Sequence, residues 1–232
     1  KEGYPHQIMK HEIAKALKEG GYDAEIENVV SLSTLYKHGI DNEQYNCLWN
    51  RPDITVKKDN MKFAVEILVD TTFYPVMKDR LNFYKESKQH VLLVLNRFDP
   101  KDVKSFLPND FLSLTNRNVF EFGDEMMWES KQYGNLVLRC HIARPVLKDD
   151  KTLSYVWIDR KILFDNPKFD NKYFSGYWYD CRAVEKELLD PDNKETYTVS
   201  NDEETFYIPE EDYHVPQNSE EAFQFLLKEE ID

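Results

Sequence analysis

Apolar residues recur at helical spacing through the first twenty positions: Ile8, Met9, Ile13, Ala16 and Leu17 fall on one side, and Gly20-Gly21 follows. That pattern predicts a helix from Pro5 to Gly20. Tyr22 to Val30 reads as a strand, and a loop over 31–50 carries Tyr36, Tyr45 and Trp49. Two short apolar segments come next, Asp53 to Val56 and Phe63 to Val69, joined by the polar link Lys57 to Lys62. Val76 to Ser87 reads as a second helix, and Val91 to Leu95 as a strand buried on both faces. The order α-β-β-β-α-β predicts a mixed sheet flanked by helices. Further on, Asn135 to Arg144 alternates and faces Thr152 to Phe164 across the Lys148–Lys151 link, the pattern of a long antiparallel hairpin. Phe174 to Cys181 reads as an aromatic-rich strand, and Glu220 to Glu230 as a short amphipathic helix.

The apolar pattern is broken where chemistry enters. Asp53 and Glu66 are carboxylates inside otherwise apolar strands, which is costly unless each is paired or shares a cation. With Asp59-Asn60 as a two-residue hairpin turn, paired residues sum to 119, so Asp53 lies opposite Glu66 on one face. Two carboxylates that close repel, and one protonates unless a cation intervenes. Oxygen donors with no His/Cys cluster nearby point to Mg²⁺ or Mn²⁺ rather than Zn²⁺. A one-residue slip in register would separate the pair. The same arithmetic sets Arg51 across from Leu68.

Charge changes the picture of the partner. The chain has 232 residues and a net charge of −13, yet residues 1–105 hold 16 basic and 16 acidic side chains. Residues 106–184 hold 11 of each, and residues 185–232 hold 3 against 16. The acid is therefore a C-terminal feature, and a nucleic-acid partner for the first half is compatible with the overall sign. Three scattered cysteines fit neither a disulfide framework nor a zinc site. No membrane span or signal peptide is evident, so an intracellular location, cytoplasmic or nuclear, is expected. Seven glycines and no Gly-rich phosphate loop argue against nucleotide-driven and redox functions. No nucleophile elbow is present either.

The N-terminal residues resemble the PD-(D/E)XK nucleases, the restriction-endonuclease-like superfamily, and within it the CoiA-like competence nucleases. The resemblance rests on His6 and Lys10 in the opening helix, Gly21-Tyr22 and Glu27, then Arg51-Pro52-Asp53, Val65-Glu66-Ile67, and Arg80 with Tyr84 in the second helix. It covers about the first 105 residues and rests on short motifs and the order of elements. It implies an α/β nuclease core at 1–105; beyond it the strand patterning reads as a β-rich accessory region at 106–184 and the charge run as an acidic segment at 185–232. It also implies Mg²⁺ or Mn²⁺ held by Asp53, Glu66 and the Ile67 carbonyl, with Glu12 or Glu27 as an added carboxylate. His6, Arg80 and Tyr84 would contact nucleic acid, DNA in the first instance, and the C-terminal half could carry a protein partner.

One departure stands out. The superfamily's lysine two residues after the Glu is Leu68 here. Arg51 or Lys10 could supply the missing cation, metal could bind with slow or no cleavage, or the fold could persist as a binding or interaction module.

Overall fold

The computed structural model describes residues 4–26, 51–69, 74–101 and 109–190. The described residues build a seven-stranded mixed sheet with helices against both faces. Helix α1 (Tyr4–Glu19) leads into β1 (Asp23–Ile26), and β2 (Ile54–Lys58) and β3 (Met61–Leu68) form a hairpin. Then come α2 (Tyr74–Glu86), β4 (His90–Leu95), α3 (Asn109–Leu114), β5 (Asn118–Glu121) and α4 (Asp124–Tyr133). The long hairpin β6 (Val137–Leu147) and β7 (Leu153–Leu163) follows, then a two-stranded ribbon, β8 (Lys168–Phe169) with β9 (Gly176–Tyr177), and α5 (Cys181–Leu188).

The strands lie in chain order. β1, β2 and β3 are antiparallel, β3, β4 and β5 are parallel, and β5, β6 and β7 are antiparallel again. The hairpin register is the expected one: Lys58 faces Met61 and Ile54 faces Val65, with Asp59 turning at φ 51°. Helix α1 stops where Gly21 takes a φ of 83° that L-side chains rarely adopt, and Tyr22 N–H bonds back to Leu17.

The pleat sorts the core into two layers. Phe63, Val65 and Ile67 of β3 face α1, meeting Met9, Ile13 and Leu17. Ala64 and Leu68 face α2, meeting Met77, Leu81 and Tyr84. Residue 68 is thus a packing position, 5% exposed, between the sheet and a helix.

The region expected to be a β-rich accessory unit instead continues the same sheet. β4 pairs with β5 in parallel, which carries the sheet past residue 105 without a break. It also contributes three helices, and of the aromatic stretch Phe174 to Cys181 that reads as strand only Gly176–Tyr177 is extended, with α5 starting at its end. The reason is polar anchoring. Asn118 accepts from the Trp178 and Tyr179 N–H groups, and Asp180 caps α5 by accepting from Ala183 N–H. The acidic tail beyond 190, with the Glu220 to Glu230 helix, lies outside the described residues, as does the loop over 31–50. Among the described residues no helix is long and apolar enough to cross a membrane.

Candidate functional site

The site forms where the β2–β3 hairpin meets α1 and α2. Asp53 occupies a bend one residue before β2, and Glu66 sits near the C-terminal end of β3. They are 5% and 0% exposed. Asp53 Oδ2 accepts from the Ile67 N–H at 2.8 Å, which locks the carboxylate against the residue after Glu66.

Helix α1 delivers two groups to Asp53. His6 and Lys10 are four residues apart, so they share a face. His6 Nε2 lies 3.3 Å from Asp53 Oδ2, and Lys10 Nζ lies 3.4 Å from Oδ1. Lys10 is only 1% exposed, which is rare for an ammonium and requires a carboxylate beside it. Burial alone would lift the Asp53 carboxyl. The bonds from His6 and Ile67, with the charges of His6 and Lys10, outweigh burial and hold it below the usual carboxylate value.

Helix α2 attends to Glu66. Arg80 Nη1 donates to Oε2 at 2.6 Å, and the Tyr84 hydroxyl donates to Oε1 at 2.6 Å. Tyr84 is 0% exposed. Burial first, then the Glu66 charge, raises its phenol well above the ordinary value, so it stays a neutral donor. Burial works against the Arg80 charge, yet Glu66 and then Asp53 more than restore it.

Each expected site residue can now be located. His6, Lys10 and the Ile67 N–H gather on Asp53, and Arg80 and Tyr84 on Glu66. The two carboxylates do not share one face as expected, because Asp53 is held from α1 and Glu66, of the same parity as Ala64 and Leu68, is held from α2. Arg51 is exposed two residues before Asp53. Glu12 points elsewhere, pairing with Lys131 of α4 at 3.2 Å. Glu27 lies outside the described residues. Tyr84, expected on nucleic acid, is fully buried behind Glu66 and orients that carboxylate instead. Arg80 likewise spends its guanidinium on Glu66, although 39% of its side chain remains exposed. The sequence signals only that Arg80 and Tyr84, four apart on a helix, share a face.

Each carboxylate is already satisfied by protein donors, Asp53 by Ile67 and Lys10 and Glu66 by Arg80 and Tyr84. Two carboxylates and the Ile67 carbonyl offer oxygen only, the preference of Mg²⁺ and Mn²⁺. Among the described residues no three His, Cys, Asp or Glu side chains converge on one point. A cation here would therefore complete its shell with water and substrate oxygens, as Mg²⁺ commonly does.

A family model described as "Domain of unknown function (DUF6035)" matches residues 1–182. No curated protein matches the chain, and no solved structure does.

Proposed function

The chain belongs to the DUF6035 family, and we propose that it is a metal-dependent nuclease hydrolysing phosphodiester bonds, with DNA as the favoured substrate. The observation that carries the reading is Lys10. Leu68 cannot stabilise charge on a phosphate, and a lysine 1% exposed stands 3.4 Å from Asp53 by way of α1. A restriction-endonuclease-like assignment of the mixed sheet belongs to the same proposal, supported by a carboxylate in the bend before β2, another in β3, and helices on both faces.

Asp53, Glu66 and the Ile67 carbonyl would hold Mg²⁺ or Mn²⁺. When bound, such a cation lowers the pKa of water and neutralises phosphate charge. Asp53 stays ionised through the bonds it accepts from His6 and Ile67 and so carries the charge a cation would need. Lys10 holds a fixed positive charge in a low-dielectric setting, where it acts most strongly on charge that builds on a phosphoryl oxygen. His6, with 16% of its side chain exposed, would hold Asp53 in place through Nε2, 3.3 Å from Oδ2. Exposed Arg51 adds a phosphate contact on the same side.

A second reading has its own support. Arg80 and Tyr84 satisfy Glu66 without any cation, as a catalytically degenerate nuclease fold used for binding nucleic acid or protein would require. Incubation with labelled single- and double-stranded DNA and RNA in Mg²⁺ or Mn²⁺ separates the two. The nuclease reading expects cleavage that Glu66→Ala abolishes and Arg51→Ala weakens. No cleavage of any substrate, with no Mn²⁺-induced rise in melting temperature, favours the binding module.

A further inference from the structure

We propose that the cavity between the sheet and the β8–β9 ribbon receives one unstacked base of a nucleic acid, so that the chain acts on nucleic acid with unpaired bases. The inference rests on the nucleic-acid partner of the reading above and not on its cation. It gives a function to a part of the chain, residues 164–178, that the candidate site does not use.

The cavity measures about 220 Å³. Its floor is apolar, made by buried Leu92 of β4 and Phe120 of β5 on the sheet face that carries α1. The segment Phe164 to Lys168 forms one wall, and Gly176 to Trp178 the other. Both walls are pinned. The Tyr22 hydroxyl donates to the Phe164 carbonyl at 3.3 Å, and the Trp178 N–H donates to Asn118 Oδ1 at 3.0 Å. Gly176 lets the ribbon lie against the floor, since a Cβ there would stand 2.9 Å from Leu92 Cδ1. The cavity is therefore preformed. Leu92 pairs with Val65, two residues before Ile67, so the floor begins about 8 Å from the backbone that holds Asp53.

Size and chemistry choose the occupant. Drug-sized ligands need roughly 300–1,000 Å³, so this cavity suits a single ring system rather than a whole nucleotide. Trp178 and Tyr177 supply aromatic surface for stacking, and Arg160 Cζ stands 5.7 Å from the Trp178 ring centroid. Asn166 and Lys168 are exposed at the rim, and neither side chain makes a hydrogen bond or ion pair among the described residues. The Asn166 amide offers a donor and an acceptor to the polar edge of a base. Asp165 adds an acceptor. The cations Lys168 and Arg160 outnumber that carboxylate, which suits the phosphates that enter with a base. An aromatic side chain of a protein partner would stack as well, but it brings no phosphate for these cations. A base inside a duplex has both faces covered, so only an unpaired or flipped base can enter.

The test is binding of a fluorescein-labelled oligothymidylate to the full chain, followed by anisotropy in EDTA so that nothing is cleaved. An abasic oligonucleotide of the same length is the comparison. The wild type should bind the thymidine form about tenfold more tightly, the size expected for stacking of one base. Trp178→Ala should lose that difference, and Trp178→Phe should keep it. Two exposed positions guard against misfolding. Asn166→Ala should shrink the difference, and Lys168→Gln should weaken both oligonucleotides alike, each with an unchanged melting temperature. A further measurement needs no variant: with 5-iodo-2′-deoxyuridine in the oligonucleotide, ultraviolet crosslinking to the wild type should map to Tyr177 or Trp178. Equal binding of the two oligonucleotides by the wild type, or crosslinks confined to other segments, overturns the proposal; Mg²⁺-dependent cleavage in that case leaves the nuclease reading standing. No binding of any nucleic acid overturns both. Base-dependent binding with the expected crosslink and no cleavage upholds the proposal and removes the nuclease reading.

Discussion

Replacing Lys10 with methionine should destabilise the fold by about 3 kcal/mol at neutral pH. At 3.4 Å and an effective dielectric near 20, the Lys10–Asp53 attraction is about 5 kcal/mol. Burying methionine rather than an ammonium returns part of that, and His6 and Ile67 still bond to Asp53. The remainder falls at the lower edge of the range for breaking a buried pair, roughly 3–5 kcal/mol. For a domain of this size it corresponds to a drop in Tm of about 6–12 °C. The pH dependence identifies the cause. Asp53 titrates below its ordinary value when folded, so its contribution is present above about pH 4 and fades as pH falls through the folded pKa. Lys10→Met removes one of the influences that lower it. The deficit, followed by urea denaturation, should therefore be largest near pH 7 and narrow below about pH 4. A variant as stable as wild type, or a deficit that ignores pH, would refute the reasoning.

Two further outcomes test other parts of the structure. His90 lies between the rings of Phe169 and Phe174, at centroid distances of 4.7 and 5.6 Å, and burial lowers its pKa. The unfolded chain then takes up that proton first, so stability should decline as pH drops below about 6.5; His90→Phe should flatten this slope in thermal melts, and an unchanged slope would exclude His90 as its source. Thr55 Oγ1 is buried with no hydrogen-bond partner among the described residues. Thr55→Val should stabilise the protein by about 1 kcal/mol, and a lower urea midpoint would show that the hydroxyl has a partner.

Much of the site was legible because it depends on short-range arithmetic. The hairpin register followed from one turn and the pleat, and it fixed which face each residue of β3 takes. The spacing of His6 and Lys10 fixed their common face on α1. The uses of Arg80 and Tyr84 were not legible in the same way. Both orientations of α2 fit its mixed pattern, and only packing of Met77, Leu81 and Tyr84 on Ala64 and Leu68 turns them toward Glu66. The long hairpin of the second half is legible in its alternation, while β5, α4 and the path after β7 are not. β5 is only Asn118–Glu121, with polar residues at both ends, and α4 (Asp124–Tyr133) has a weak apolar stripe. The path from 165 to 188 is set by distant polar partners, such as Asn118 with Tyr179 and Arg117 with Glu185 at 2.5 Å. No local pattern announces such pairs, because their partners are about sixty residues away.

The proposed nuclease function depends on a divalent cation held by Asp53 or Glu66. Anomalous diffraction from crystals soaked in MnCl₂ tests it directly. One peak is expected at about 2.0–2.2 Å from an oxygen of Asp53 or Glu66. A crystal without a peak there at saturating Mn²⁺ would contradict it.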